Sequence, residues 1–235
     1  MNWTIHHKAV TESTNSDARA GRPGDVFTAD FQSAGRGRLD HTWLSPPGAN
    51  LMMSAVLDVA GLPPDQVATF PLAVGLAVLR GLSPFLPATA RRALKWPNDV
   101  LVEGRKIAGI LCERQGEMVI AGIGINVNQK KFAESIENRA ISLALLGSVP
   151  TVDAVRAAVL AALAEVYGVW RDEGFGAVYP EIAAYDGLRG QTLAVRQTDD
   201  DRAPLTGLCG GIQPDGSLRI GETCVYAGEA HVVQM

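Results

Sequence analysis

The chain has 235 residues, of which 47% are hydrophobic and 20% are charged, and its formal net charge is −4. A chain of this size and composition can bury one substantial core and still form a small second module. The net negative charge argues against general binding to nucleic acid, because proteins that bind phosphate backbones usually carry a basic excess. No apolar stretch reaches the ~20 residues that a membrane span needs, and the N-terminus lacks the apolar core of a signal peptide. We therefore expect a cytoplasmic globular protein that binds neither nucleic acid nor membrane.

The first half of the chain combines strand and helix patterns. Alternating apolar residues predict strands, and apolar residues three and four positions apart predict a helix that lies on their sheet. Thr14 and Asp17 stand at capping-box spacing, which indicates the start of a helix. The predicted elements are, in chain order, a strand over residues 3–6, a helix starting at 13, strands over 26–31 and 51–59, a helix over 64–82, and adjacent strands over 106–114 and 118–126.

The pattern changes near residue 187. An amphipathic helix over residues 151–173 and a shorter helix over 177–185 precede this point. Beyond it, short alternating runs separated by turns predict a small β-barrel. These runs cover residues 192–196, 205–212, 217–220 and 225–233. We therefore predict two domains, residues 1–187 and residues 188–235.

Residues 32–51, QSAGRGRLDHTWLSPPGANL, have neither helical nor strand periodicity. Gly35 and Gly37 allow the backbone to approach a ligand closely. Arg36 and Arg38 carry planar guanidinium groups that suit a carboxylate or a phosphate. This glycine pattern also occurs in ordinary flexible loops, so alone it is a weak signal. It predicts a mobile loop that binds an anionic small molecule.

Three further motifs follow this loop: KWPNDV at 95–100, KIAGIL at 106–111 and GIGINVN at 122–128. Together with Ser13-Thr14-Asn15 and the loop, in this order, they resemble the biotin protein ligases, which adenylate biotin and attach it to a carrier lysine. The resemblance covers essentially the whole chain. It implies an α+β fold, with a mixed β-sheet catalytic domain packed with helices, of the class II aminoacyl-tRNA synthetase-like type, and a small C-terminal SH3-like β-barrel.

The resemblance also implies which residues form the site. The residues that it implies for biotin binding are Ser13, Thr14, Asn15, Gln32, Arg36, Gly37, Arg38, Lys106 and Gly109. Those that it implies for ATP binding are Trp43, Lys95, Asn98 and Asn126. Lys106 and Arg38 are the implied catalytic residues, and Asp99 is a candidate ligand for Mg²⁺. Several have a structural alternative: helix capping for residues 13–15, a strand end for Gln32, a core or interface position for Trp43, an Asx turn for residues 98–99 and a solvated strand end for Lys106.

The implied reaction is the adenylation of biotin with MgATP to biotinyl-5′-AMP and its transfer to a biotin carboxyl carrier domain. Because the motifs start at Ser13, we expect no DNA-binding domain before them. The alternatives are a lipoate ligase or octanoyltransferase, which resemble the same fold, and a biotin sensor without catalysis. The pattern leaves open whether the chain is a monomer or a homodimer paired through its sheet edges.

One segment departs from the family pattern. Where the family commonly continues the loop with Arg-Gly-Arg or a close variant, this chain has Leu39-Asp40-His41. The change removes positive charge and a glycine, which raises the question of how tightly the loop closes over the adenylate. Asp40 and His41 are expected to pair and to give the loop pH sensitivity near the unperturbed His pKa of about 6.5.

The three cysteines, Cys112, Cys209 and Cys224, are an odd number without CxxC spacing, so neither a disulfide framework nor a zinc site is predicted. An acyltransferase can hold its acyl group as a thioester on a cysteine. Cys112 lies in an apolar run, however, where a buried and inert thiol is the more common situation. We therefore expect Cys112 to be dispensable.

Overall fold

The computed structural model describes residues 1–39, 41–196 and 203–233. It confirms the α+β prediction, with a large mixed sheet packed with helices and a smaller antiparallel sheet after it. The elements of the main part are β1 (Thr4–Thr11), α1 (Thr14–Ala18), β2 (Asp25–Gln32), β3 (Leu51–Asp58), α2 (Pro64–Ala68), α3 (Phe70–Leu82), β4 (Arg92–Lys95), β5 (Asp99–Val102), β6 (Arg105–Gln115), β7 (Met118–Ile125), α4 (Val152–Glu173) and α5 (Phe175–Ala184). The C-terminal elements are β8 (Thr192–Arg196), β9 (Leu205–Ile212), β10 (Leu218–Ile220), β11 (Thr223–Val225) and β12 (Glu229–Val232).

The large sheet has seven strands in the order β1-β2-β3-β7-β6-β5-β4. β1 runs parallel to β2, and the other neighbouring strands pair antiparallel. β3 lies near the middle of the sheet, and its sequence LMMSAVLD is buried along nearly its whole length. A short, almost continuous apolar run is the pattern of a strand covered on both faces.

One face of the large sheet is covered by α3 and α4, which pack against each other. Phe70 of α3 contacts Trp170 of α4, with ring centroids 4.6 Å apart. The hydroxyl of Tyr167 donates a hydrogen bond to the backbone oxygen of Asp58 at the end of β3 (2.7 Å). Because each fully buried large apolar side chain contributes roughly 1.5–3 kcal/mol, this face forms the main core.

The opposite face carries the short helix α1. Ala18 of this helix packs with Val56 and Ile120 in a small second cluster. Since α1 has only five residues, it covers part of the face. The neighbouring part, over β6 and β7, is left to the loop between β2 and β3.

The smaller sheet has the order β11-β10-β9-β8-β12 and is antiparallel, consistent with the SH3-like module that the sequence predicts. It is tied to the main part by hydrogen bonds. The indole Nε1 of Trp96 donates to the backbone oxygen of Gly216 (3.0 Å), and the hydroxyl of Tyr179 donates to that of Ile212 (3.1 Å). The division into residues 1–187 and 188–235 stays a prediction.

The structure corrects two predictions for the helices. The capping box is wrong, because Ser13 is the N-cap of α1 and makes no side-chain cap bond, while the Asp17 carboxylate accepts hydrogen bonds from Lys8 and Thr11. The single helix over residues 64–82 is wrong as well, since α2 and α3 are separate. Pro71 stands in the first turn of α3 and has no N–H to donate to the backbone oxygen of Val67, so the hydrogen bonding of α2 does not continue through it.

Two strand predictions also differ in extent. β1 reaches Thr11 although it was predicted to end at residue 6. Its parallel pairing with β2 extends that far, but its side chains are mostly exposed and show no alternation of apolar and polar residues that would predict a strand. The run over residues 225–233 contains the end of β11 and the whole of β12, separated by Tyr226-Ala227-Gly228. Within the described ranges, no helix combines the length and the apolar composition needed to cross a bilayer.

Candidate active site

A pair of glycines forms a flat floor on the face of the sheet that α3 and α4 do not cover. Gly109 of β6 and Gly124 of β7 are opposite each other in the ladder. The ring of Trp43, from the loop between β2 and β3, lies on them. A Cβ atom at Gly124 would lie 2.5 Å from Cε2 of Trp43, and one at Gly109 would lie 3.2 Å from its Cζ3. We call this the glycine floor, since only glycine admits a ring this close to the backbone.

Lys106 reaches this floor because β6 is irregular beside it. The pairing of β5 with β6 shifts register between Val100 and Leu101, which is the signature of a β-bulge that re-aims side chains. The backbone of Lys106 is held by hydrogen bonds to Arg139 and Ile141. Its ammonium therefore lies over the same face as Gly109, where a Cβ would stand 3.0 Å from Nζ.

The Lys106 ammonium contacts a carboxylate and an aromatic ring. Nζ lies 2.7 Å from Oδ1 of Asp99 and 5.7 Å from the ring centroid of Trp43. Among the described residues, neither Oδ1 of Asp99 nor Nε1 of Trp43, both buried, makes a well-aligned hydrogen bond. A buried polar atom without a partner costs about 1–3 kcal/mol, so Nε1 of Trp43 fits a place where a polar ligand binds, whereas Asp99 already has Lys106 as its charge partner.

The residues 13–15 lie next to the floor and are buried. Oε1 of Gln32 accepts hydrogen bonds from the backbone N of Thr14 (2.7 Å) and from its hydroxyl (3.0 Å). The hydroxyl of Ser54 donates to Oδ1 of Asn15 (2.6 Å). The Asn15 amide lies directly on Gly122, two residues before Gly124 on the same strand. Three of the predicted biotin-binding residues, Thr14, Asn15 and Gln32, are therefore joined in one network, and Ser13 is buried beside them.

Glu113 holds this network to the loop, although the sequence analysis did not single it out. Its carboxylate accepts hydrogen bonds from Nδ2 of Asn15 (2.6 Å), from Arg19 (3.1 Å) and from Arg36 (3.2 Å). Burial raises the pKa of Glu113, but the hydrogen bonds from Asn15 and Arg19 and the charges of Arg36 and Arg19 outweigh it, so the pKa is lowered. The sequence did contain a signal for Glu113. It lies two residues after Leu111 and four residues after Gly109, so it is on the same face of β6 as these two residues.

With Asn15 in the biotin-binding role that the resemblance implies, we expect Glu113→Gln to raise the KM for biotin by about tenfold with a smaller change in kcat, because a charged hydrogen-bond acceptor is worth about 1.5–3 kcal/mol. Since the folded-state pKa of Glu113 is lowered, its contribution to stability is present above the unfolded pKa and is lost as pH falls through the folded one. Urea unfolding should therefore show Glu113→Gln less stable than the parent at pH 7 and closer to it in acid. An unchanged KM for biotin in a fully folded Glu113→Gln variant would contradict the idea that Glu113 positions Asn15.

The loop between β2 and β3 forms a narrow hairpin. Its arms pair through Arg36 and Thr42, and the backbone N of Trp43 donates to the oxygen of Gly35 (2.9 Å). The backbone N of Gly37 donates to the oxygen of His41 (2.6 Å). The hairpin turns at Leu39, which has the left-handed φ of 49°.

The two arginines of the hairpin point in different directions. Arg36 is exposed and binds Glu113, whereas Arg38 is half-buried and donates to the backbone oxygen of Gly228 (3.1 Å). Nε2 of His41 lies 3.6 Å from Oε1 of Glu229. The predicted pairing of His41 with Asp40 involves a residue outside the described ranges.

Two of the predicted nucleotide-binding residues support the backbone around Lys106. Nδ2 of Asn98 donates to the oxygen of Ile110 (2.8 Å). Nδ2 of Asn126 donates to the oxygens of Ile141 (3.0 Å) and Lys106 (3.4 Å). Their amide nitrogens are thus engaged, which leaves the side-chain oxygens for a ligand. Lys95 pairs in register with Asp99 across β4 and β5, and its role stays a prediction.

Cys112 is unsuited to nucleophilic chemistry. Burial, together with the charge of Glu113, raises the pKa of its thiol to about 12, so the thiolate is scarce at neutral pH. We expect Cys112→Ala to keep adenylation and transfer within about twofold of the parent, as for a conservative change outside the reacting groups. Steady-state rates of both steps check this, and loss of both in a folded variant would instead indicate a covalent intermediate.

Comparison with known proteins agrees with this geometry. Residues 8–129 match the family model described as the biotin/lipoate A/B protein ligase family. The chain belongs to this family. The matched segment runs from β1 to the end of the third sequence motif, so it contains the hairpin loop, Lys106 and the glycine floor.

Individual members of the family extend the match over most of the chain. The biotin--[acetyl-CoA-carboxylase] ligase of Mycobacterium tuberculosis is 36% identical over 196 residues, which are 80% of this chain and 71% of that protein. The biotin protein ligase from Aquifex aeolicus, solved in complex with biotin and ATP, superposes with a TM-score of 0.83 at 28% identity, covering 98% of this chain and 99% of that one. The biotin protein ligase from Leishmania major, solved with biotinyl-5-AMP, gives 0.68 at 25% identity and covers 98% of each chain.

Proposed function

We propose that the chain is a biotin protein ligase, which adenylates biotin with MgATP to biotinyl-5′-AMP and transfers the biotin to a lysine of a biotin carboxyl carrier domain. The observation that carries the proposal is the convergence of Lys106 and Trp43 on the glycine floor beside the buried network of Thr14, Asn15 and Gln32. The cation of Lys106 suits an anionic group, and the ring of Trp43 suits a nucleotide base. The polar side chains of the network suit the ureido ring of biotin. The named biotin ligases among its relatives support the same substrate.

In the first step, an oxygen of the biotin carboxylate attacks the α-phosphorus of ATP, the bond to the bridging oxygen breaks, and pyrophosphate leaves. Two anions must approach each other, so the barrier falls only if fixed cations neutralise the developing charge. Lys106 is placed for this role by its bulge and by Asp99, and Arg36 and Arg38 lie on the hairpin above. The Asn15 network holds the ureido end of biotin at a fixed distance from Lys106.

In the second step, the amine of the carrier lysine attacks the carbonyl carbon of the mixed anhydride. The bond from that carbon to the phosphate oxygen breaks, AMP leaves, and the amine gives up a proton to solvent. The nucleophile belongs to the carrier, so this chain needs no covalent intermediate, which agrees with the protonated state of Cys112.

The residues present fit Mg²⁺ bound mainly by the substrate. Mg²⁺ commonly takes one or two protein carboxylates together with substrate phosphates and water. Asp99, beside Lys106, would supply one such carboxylate. Within the ranges that the structure describes, no cluster of three or more His, Cys, Asp or Glu could hold a metal by itself. When bound, Mg²⁺ would neutralise the phosphate charge.

Pyrophosphate release tests the proposal. Purified protein with MgATP is given biotin, lipoate or octanoate, each with and without a biotin carboxyl carrier domain. We expect release with biotin and a biotinylated carrier. Release with lipoate or octanoate instead would assign the chain to the sister activities of its family, and tight biotin binding without release would make it a sensor. Because the reaction consumes ATP, we place it in the cytoplasm.

A further inference from the structure

The hairpin loop of the candidate active site contacts the C-terminal sheet at one place. Arg38, in the tip of the hairpin, donates a hydrogen bond to the backbone oxygen of Gly228, which lies 190 residues away and immediately before β12. The next residue, Glu229, opens β12 and pairs with Arg196 of β8, so its backbone is fixed by the sheet. The contact thus joins a ligand-binding loop to a separate β-structure.

The charges of two carboxylates from different parts of the molecule act on Arg38. Burial lowers the pKa of its guanidinium, and the negative charges of Glu229 and Asp99 act against that effect. Asp99 is the partner of Lys106. Arg38 is therefore bonded to the C-terminal sheet through Gly228 and lies within electrostatic reach of the Lys106–Asp99 pair.

Glu229 also faces the residue that distinguishes this loop from the family pattern. Its Oε1 lies 3.6 Å from Nε2 of His41, and its Oε2 lies 3.6 Å from Nε2 of His231. The side chain of Glu229 is only 30% exposed, whereas those of His41 and His231 are 66% and 61% exposed. The substitution of Leu39-Asp40-His41 for a cationic segment has thus placed a histidine towards β12.

We propose that Glu229 is a positioning residue that holds His41, next to the bond between Arg38 and Gly228, so that the C-terminal sheet keeps the hairpin closed over the adenylate. The inference rests on the proposed function for its ligand, but the contact itself does not. It assigns the C-terminal sheet a role in retaining the intermediate. In this chain, two kinds of contact keep the loop closed: contacts between the loop and the C-terminal sheet, and contacts between the loop arginines and the bound ligand.

The test compares Glu229→Gln with Glu222→Gln, a matched loss of an exposed carboxylate between β10 and β11. The first readout is tryptic cleavage between Arg38 and Leu39, followed by the mass of the fragments, which needs no substrate. The second is the rate at which preformed biotinyl-adenylate leaves the enzyme. We expect both rates to rise about twofold to fivefold in Glu229→Gln, as for a partly exposed charge contact, and to stay unchanged in Glu222→Gln.

Two further variants separate positioning from general loosening. Glu229→Asp keeps the charge and should restore slow release in part. In a His41→Ala background, which keeps the cleavage site, Glu229→Gln should add little further effect on either rate, because the residue it holds is gone. A folded Glu229→Gln variant with parental cleavage and release rates would overturn the inference. A parent that forms no adenylate would contradict the proposed function, while the cleavage rates would still decide whether β12 holds the loop.

Discussion

Replacing Lys106 with alanine should lower the rate of biotin-dependent pyrophosphate release by about 10²–10³-fold, the cost of removing one fixed donor from a site where charge develops. Nζ of Lys106 is held by Asp99 at 2.7 Å and lies over Trp43. The ammonium is therefore already in place before substrate binds, and the Lys106 side chain loses little conformational entropy on binding. The loss should appear in kcat more than in the KM for biotin, since the proposed mechanism brings the attacking carboxylate and the α-phosphate together beside this charge.

Arg91→Ala is the matched control for the loss of one cation. Arg91 pairs with Glu103 on the β4–β5 hairpin, and its side chain is 85% exposed, so adenylation should stay at the parental rate. Removing Lys106 also leaves the Asp99 carboxylate without its partner, so unfolding in urea must be measured on each variant. Near-parental pyrophosphate release by a folded Lys106→Ala variant would remove this residue from the mechanism.

The sequence predicted the parts of the fold whose signal is local. The strands β8 and β9 match their predicted limits, and α4 begins one residue after the predicted Thr151, which serves as its N-cap. The alternation of apolar and polar residues and the residues that cap helices are patterns a few residues long, so such elements can be predicted without knowing how the rest of the chain folds. The division between α2 and α3 was also visible in Pro71, but the apolar stripe across it favoured one helix.

The motifs and the family resemblance named candidate site residues from several parts of the chain, but they did not predict the contacts between those parts. Lys106 and Gly109 share one motif, whereas Asn15 and Glu113 meet across 98 residues and Ser54 meets Asn15 across 39. Such contacts depend on strand order and register, which no spacing in the sequence encodes. The bulge that aims Lys106 at the floor and the contact of Arg38 with Gly228 belong to the same class. Tertiary pairing, and not local pattern, decides them.

Replacing Gly122 with alanine should abolish most biotin binding and destabilise the fold. Its new Cβ would overlap Oδ1 of Asn15, and Asn15 cannot turn away because Ser54 and Glu113 hold both ends of its amide. We expect the KM for biotin to rise at least about tenfold and the free energy of unfolding to fall by about 1–3 kcal/mol, the usual cost of overpacking.

Two other Gly→Ala changes separate the loss of biotin binding from the loss of stability. Gly168 of α4 has no atom within 4 Å of an added Cβ, so Gly168→Ala should keep the KM and leave stability equal or higher by about 1 kcal/mol, since alanine favours a helix. Gly81 of α3 lies against the backbone of Val159, with the added Cβ 2.6 Å from its Cα. Gly81→Ala should therefore destabilise the core while the folded fraction keeps the parental KM. If Gly122→Ala behaved like Gly81→Ala, with lower stability and an unchanged KM, Gly122 would support only the fold and Asn15 would have no part in binding biotin.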